Sequence, residues 1–202
     1  MDCCKQKNPV ISKLNTLFQK VFNQEKPKEQ FRGSSTPAGC IILVGNPNVG
    51  KSLIFNSLTG SYVTVSNYPG TTVEVSAGKV ILNNREFKII DTPGLYSLLP
   101  ISEEERVTRR YLLYEKADLI VHVVDAKNIK RMLPLTLQLI ESNLPVVLVL
   151  NMMDETKSIG LDIDIKKLEQ RLGIPVIETS AALNQGIDKL RERILKYVDA
   201  AA

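Results

Sequence analysis

The sequence predicts an α/β fold: a six-stranded, mostly parallel sheet with one antiparallel strand and helices on both faces. Three observations lead there. From residue 40 onward, short β-type apolar runs alternate with helical patterns. One pair of runs, joined by Asn83-Asn84, has the look of a hairpin, which places one strand antiparallel to its neighbour. Glycine-rich and acidic motifs stand at the strand ends, where open α/β sheets bind ligands.

Taken in order, strands are expected over 40–44, 73–82, 86–90, 119–124, 146–150 and 175–179. Helices are expected over 52–58, 102–115, 132–142, 164–172 and 186–198. The first strand, Cys40-Ile41-Ile42-Leu43-Val44, runs straight into a glycine-rich loop, and Leu53-Ile54-Phe55 to Leu58 begin the helix after it. Ser102-Glu103-Glu104-Glu105 is a capping box that also puts negative charge at a helix N-terminus. After Asn184-Gln185-Gly186, a stripe of Ile187, Leu190, Ile194 and Tyr197 marks the last helix.

The chain has 202 residues, enough for one sizeable core and a short extension. Apolar content of 44% and charged content of 24% are those of a globular domain, and a net charge of +4 gives no reason to expect nucleic acid. No apolar run approaches the ~20 residues of a membrane-spanning helix. The polar, lysine-rich first thirty residues contain no secretory h-region. Together with three cysteines (Cys3, Cys4, Cys40), this points to a cytoplasmic chain, with Cys3-Cys4 read as two thiols of a floppy terminus.

Three zones follow. Val10, Ile11, Leu14, Leu17, Phe18, Val21 and Phe22 make residues 9–22 amphipathic if helical, able to rest on a membrane surface or a partner helix. Residues 23–39, ending in Gly-Ser-Ser-Thr-Pro-Ala-Gly, read as a linker, so that 1–39 form an extension and 40–202 the folded domain.

The octet Gly45-Asn46-Pro47-Asn48-Val49-Gly50-Lys51-Ser52 is the phosphate loop G-x-x-x-x-G-K-[ST], set between a strand and a helix as its mechanism requires. Its glycines let the backbone wrap a phosphate so that several N–H groups donate to it, above a helix N-terminus. Gly45, Asn46, Asn48, Val49, Gly50, Lys51, Ser52 and the following Leu53 are the expected phosphate-site residues. Lys51 would reach the β and γ phosphates, and Ser52 would hold Mg²⁺. Asp91-Thr92-Pro93-Gly94 ends a strand: Asp91 can bind a water on Mg²⁺, and the Gly94 N–H can donate to the γ-phosphate.

Asn151-Met152-Met153-Asp154 ends another strand. Asp154 can accept from guanine N1–H and the exocyclic amine, whereas adenine would leave the carboxylate facing an acceptor nitrogen, at about 1–3 kcal/mol or more. Asn151 would tie this loop to the phosphate loop, and Met152 would lay its thioether on the base without a lysine's charge. Ser180-Ala181 would close the pocket with a backbone N–H to the guanine oxygen. His122, alone on an apolar strand, reads as a core residue bonded to backbone, and Asp125 as a cap for the next turn.

These stretches, with Asn-Tyr-Pro-Gly-Thr-Thr-Val-Glu at 67–74, Asp-Thr-Pro-Gly-Leu-Tyr-Ser-Leu at 91–98 and the methionine at 152, resemble the translation-factor-like GTPases and, within them, the G domain of FeoB, the ferrous iron transport protein. The resemblance covers residues 40 to about 198. It implies a Ras-like P-loop NTPase fold, GTP and GDP as ligands, and GTP hydrolysis that is slow because Leu95 and Tyr96 stand where many GTPases place glutamine. It implies that Thr72 closes over Mg²⁺ and the γ-phosphate, with Thr71 as the competing hydroxyl. It implies a K⁺ ion held at Asn48 in place of an arginine finger. The catalytic set is then Asn48, Lys51, Thr72 and Gly94. The implied partner is a membrane permease for Fe(II), with the chain at the inner face of the membrane. An RNA-associated ribosome-assembly GTPase and a nucleotide sensor that recruits partners through its leader are the alternatives.

Overall fold

The computed structural model describes residues 37–60 and 63–201. The amphipathic stretch 9–22, the linker up to residue 36 and Cys3-Cys4 lie outside the described residues.

β1 (Gly39–Val44) sits mid-sheet, parallel to β4 (Arg85–Asp91) on one side and β5 (Leu119–Asp125) on the other. β6 (Val146–Asn151) and the short β7 (Val176–Glu178) continue the parallel set. β3 (Glu74–Leu82) pairs antiparallel with β4 through the expected Asn83-Asn84 turn, where both residues adopt positive φ. β2 (Val63–Asn67) pairs antiparallel with β3, giving the order β2-β3-β4-β1-β5-β6-β7. β3 thus alone runs against the rest, as expected, but the sheet has seven strands rather than six. β2, Val63-Thr64-Val65-Ser66-Asn67, alternates apolar and polar residues, but over too few positions to be read as a strand, and all five are exposed.

Alternation across the sheet builds two cores. Ile41 and Leu43 face one way, packed with Ile54, Phe55, Leu190 and Ile194. Ile42 and Val44 face the other, packed with Val107, Leu112, Leu135 and Leu139. The helices that supply these side chains are α1 (Lys51–Thr59), α2 (Glu103–Tyr114), α3 (Ile129–Glu141) and α6 (Ile187–Ala201), so both faces are covered. β5 and β6 are buried along their whole lengths, as befits strands with helices on each side.

Three helices differ from expectation: α3 and α6, which runs on to Ala201 rather than 198, in their bounds, and α4 in not being expected at all. α3 starts at Ile129 rather than 132 and keeps Pro134 in its interior. α4 (Met153–Ser158), directly after the Asn151 strand end, is too short to show a period. α5 (Ile165–Leu172) starts as its Asp164 cap dictates, the carboxylate accepting from Lys167 N–H at 2.9 Å. α2 carries the expected capping box, Ser102 with Glu105.

Candidate functional site: a nucleotide cleft

The parallel strands bring Val44, Asp91, Asp125, Asn151 and Glu178 to one edge of the sheet, with Leu43 in register with Asp91 and Asp125 with Asn151. The loops leaving that edge carry nearly every motif residue.

The phosphate loop turns from β1 into α1. α1 opens without a side-chain cap and with no acidic residue in its first turn, so its leading N–H groups remain for an anion. Gly50, the N-cap, has φ 89°, and a Cβ there would lie 2.2 Å from Asn151 Nδ2. Only glycine fits both demands. Asn48 is also left-handed, at φ 62°, and is exposed. Lys51 is buried, its ammonium donating to the carbonyls of Gly45 (3.1 Å) and Asn46 (2.9 Å). Burial pulls its pKa down, and the Asp91 carboxylate pulls the other way.

Asp91 closes the site from β4. Ser52 Oγ donates to Asp91 Oδ2 at 2.7 Å, while Asp91 Oδ1 is buried without a hydrogen-bond partner. Desolvation raises the Asp91 pKa against the lowering pull of Ser52 and Lys51. A hydroxyl and a carboxylate oxygen with spare acceptor capacity form the hard-oxygen set that Mg²⁺ prefers, so the residues fit that ion. Beyond Asp91, Leu95 N–H donates to Gly45 O at 3.0 Å and draws the segment onto the phosphate loop. Gly94 lies so close that a Cβ would meet Pro47 Cγ at 2.5 Å. Leu95 is fully buried in the core and Tyr96 is exposed, so neither side chain is placed to hold water by an amide.

Thr71 and Thr72 separate cleanly. The Thr71 hydroxyl is spent inside its own turn, donating to Tyr68 O at 3.0 Å and accepting from Val73 N–H at 3.3 Å. Thr72 is exposed. Tyr68 anchors this segment, buried edge-on against Tyr111 of α2 with centroids 5.2 Å apart.

At the base end, Asn151 is the hub. Its Nδ2 donates to Val49 O at 2.9 Å, and its Oδ1 accepts from Thr179 Oγ1 and from Ala181 N–H, each at 3.0 Å. The side chain is 2% exposed and its polar groups are matched. Met152 takes φ 63°, a left-handed conformation that costs a non-glycine residue roughly 1–2 kcal/mol. Thr156 holds it there, Oγ1 donating to Met152 O at 2.8 Å. Asp154 is half-exposed at the start of α4; its N–H donates to Ser180 Oγ at 3.0 Å. The Ser180 hydroxyl is also the first cause holding the Asp154 carboxyl below the usual range. Ser180 N–H donates to Gln185 O, so both backbone amides of Ser180-Ala181, from which one N–H to a guanine oxygen is expected, have partners within the chain. An incoming base oxygen would share the Ala181 amide with Asn151.

Sequence reasoning did not single out several residues that shape the cleft. Glu105, known only as a cap, also accepts from Tyr96 N–H (3.2 Å) and Ile101 N–H (2.8 Å), pinning the segment after Gly94 to α2. Gln138 of α3 accepts from Leu98 N–H at 2.8 Å. Thr179 completes the Asn151 hub. Lys127 and Glu155 form an ion pair beside Asp154. His122 is a core residue, as expected, but its Nδ1 meets Thr136 Oγ1 at 3.1 Å rather than backbone. Asp125 caps the next turn through Lys127 N–H at 2.9 Å. Arg85 pairs with Asp199 and lies over Phe87. Among the described residues no His, Cys, Asp and Glu group forms a metal cluster, and no helix is long and apolar enough to cross a membrane.

A phosphate loop, an Asp-x-x-Gly strand end and an Asn-x-x-Asp loop converging on one sheet edge define the G domain of a P-loop GTPase. Residues 40–194 match the family described as ferrous iron transport protein B, and the chain belongs to that family. It is similar to the Fe(2+) transporter FeoB of Campylobacter jejuni, 42% identical over 155 residues that make up 77% of this chain and 25% of that protein. The Escherichia coli K12 Fe(2+) transporter FeoB is 42% identical over 159 residues, 77% of this chain and 21% of that protein. The chain therefore spans a quarter or less of these relatives' lengths. Among solved structures, the FeoB G domain of Methanococcus jannaschii superposes with a TM-score of 0.72 at 43% identity, covering 81% of this chain and 99% of that one. The cytosolic domain of Thermotoga maritima FeoB in a GDP form gives 0.77 at 40% identity, covering 79% and 63%.

Proposed function

We propose that this chain binds GTP and GDP with Mg²⁺, hydrolyses GTP slowly with stimulation by K⁺, and thereby regulates passage of Fe(II) through a membrane permease at the inner face of the membrane. Residues 40–202 are the G domain and 1–39 an extension, whose stretch 9–22 is suited to a membrane surface or partner helix. The observation that carries the reading is the Asn151 side chain, which joins the phosphate loop to the base-selecting loop through Val49 O at 2.9 Å. One ligand must satisfy both loops, and a guanosine phosphate does.

Each residue then has a role. The N–H groups of the loop from Gly45 to Leu53 and the Lys51 ammonium bind the phosphate tail. Ser52, Thr72 and, through water, Asp91 would hold Mg²⁺, which supplies charge neutralisation at the β and γ oxygens. Thr72 is favoured over Thr71 because the Thr71 hydroxyl is already engaged. Gly94 N–H donates to the γ-phosphate, close against Pro47. Asn48, exposed and left-handed beside the phosphates, would hold K⁺, whose charge would stand where an arginine finger stands elsewhere. Asp154 accepts from the guanine edge, Met152 covers the ring, and Ser180-Ala181 close the pocket.

Calorimetry with Mg²⁺ and phosphate-release assays in K⁺ and in Na⁺ test this. Heat from GDP and GTP but not ADP is expected, with faster turnover in K⁺ that Asn48→Ala removes. Equal heat from adenosine and guanosine nucleotides overturns the nucleotide assignment; an undiminished K⁺ effect in Asn48→Ala removes Asn48 from its role.

A further inference from the structure

The base-selecting loop is fastened differently on its two sides. Toward β7 it is held by hydrogen bonds: Met153 N–H to Thr179 O at 3.2 Å, Asp154 N–H to Ser180 Oγ at 3.0 Å, and the Asn151 hub. Toward β5 it is held by charge, the Lys127 ammonium donating to Glu155 Oε2. The base of Lys127 is itself fixed. Its N–H donates to Asp125 Oδ1 at 2.9 Å, Asn128 Nδ2 donates to Asp125 Oδ2 at 2.8 Å, and Asp125 is buried at the end of β5. The ammonium therefore projects from a rigid stem onto α4, the six-residue helix that carries Asp154. After the Ser180 hydroxyl and backbone donors, Lys127 is also among the charges that hold the Asp154 carboxyl ionised.

We propose that Lys127, anchored on Glu155, is a positioning residue for guanine selection: it pins the turn that aims Asp154 and supplies, from the end of β5, the positive charge that Met152 does not bring. This rests on the nucleotide reading above. A six-residue helix has little stability of its own, so its direction depends on its tertiary ties. Asp154 must meet two donors on the base edge at once, and a small pivot of α4 spoils that geometry while leaving the phosphate grip intact. Lys127 and Glu155 side chains are 27% and 52% exposed, and exposed pairs add little to stability. The effect should thus appear in base choice rather than in melting.

The test compares GDP with IDP, whose base lacks the exocyclic amine, on the full chain and its Lys127→Met, Lys127→Arg and Glu155→Gln variants. Lys127→Met keeps the stem and removes the charge. It is expected to weaken GDP binding about 2–5-fold and to lower the GDP-to-IDP preference by a similar factor. Glu155→Gln should do the same, the double variant should add nothing further, and Lys127→Arg should keep the wild-type ratio. The defect should shrink as salt is raised, since exposed charges are screened beyond ~10 Å at 0.1 M. An unchanged GDP-to-IDP ratio in Lys127→Met overturns the proposal, as does a loss of affinity that merely follows a fall in melting temperature. A wild-type chain that does not distinguish GDP from ADP would defeat the nucleotide reading itself, a separate and recognisable outcome.

Discussion

At the phosphate end of the cleft, the proposed grip comes from eight consecutive residues, Gly45 to Ser52, with one strand end, Asp91, completing it. At the base end, the pocket is assembled from three separate stretches, Asn151–Asp154, Thr179–Ala181 and the phosphate loop itself, held together by one buried amide. The first end relies on backbone N–H groups and an enclosed ammonium, which bind any polyphosphate. The second offers side chains on a short helix that is half open to water, and in the proposed reading it alone tells one purine from another. Strength and choice are thus built by different means a few residues apart.

Four substitutions would break or sharpen that contrast. Lys51→Ala should lower GTP turnover roughly 10²–10³-fold, comparable to removing one preorganised transition-state donor, with guanine preference retained in competition binding. Asn151→Ala strips partners from Val49 O, Thr179 Oγ1 and Ala181 N–H in a buried setting. It should cost about 3 kcal/mol of stability by denaturant unfolding and damage both ends of the cleft together. Asp154→Asn should reduce guanine preference about 10²-fold while xanthosine diphosphate gains; unaltered guanine preference would show that the base is read elsewhere. The smallest effect concerns acid. His122 is fully buried, and desolvation together with the Lys51 charge lowers its pKa to about 3. The native state keeps it neutral, so its contribution is present above about 6.5 and is lost as pH falls toward about 3. His122→Leu should therefore flatten the decline of the melting temperature across that window, relative to wild type.

The contiguous elements could be read from the chain because their causes are local. A glycine-rich octet after an apolar run, a capping box and an Asn-Asn turn each fix their geometry within a few residues, and each lies where expected. β2 was missed because its Val-Thr-Val-Ser alternation covers only four residues, and it is defined by its ladder with β3. α4 was hidden by its brevity, and Lys127 by distance: its tie to Glu155 spans 28 residues and exists only once β5 and β6 lie side by side. That the Ser180 and Ala181 amides already have acceptors within the chain was hidden for a similar reason. The acceptors that take them, Gln185 O and Asn151 Oδ1, are brought close by tertiary structure that leaves no periodic trace.

The Asn151 amide spans 102 residues to Val49 and 30 to Ala181. A chain made from its N-terminus, at ~5–20 residues per second, exposes the phosphate loop several seconds before Asn151, Thr179 and Ala181 exist. For that interval the loop lacks the tie that joins it to the base-selecting residues. Purine choice arrives only with the last two strands, and since the same amide secures Val49, a truncation ahead of them should loosen the hold on phosphate as well as abolish that choice.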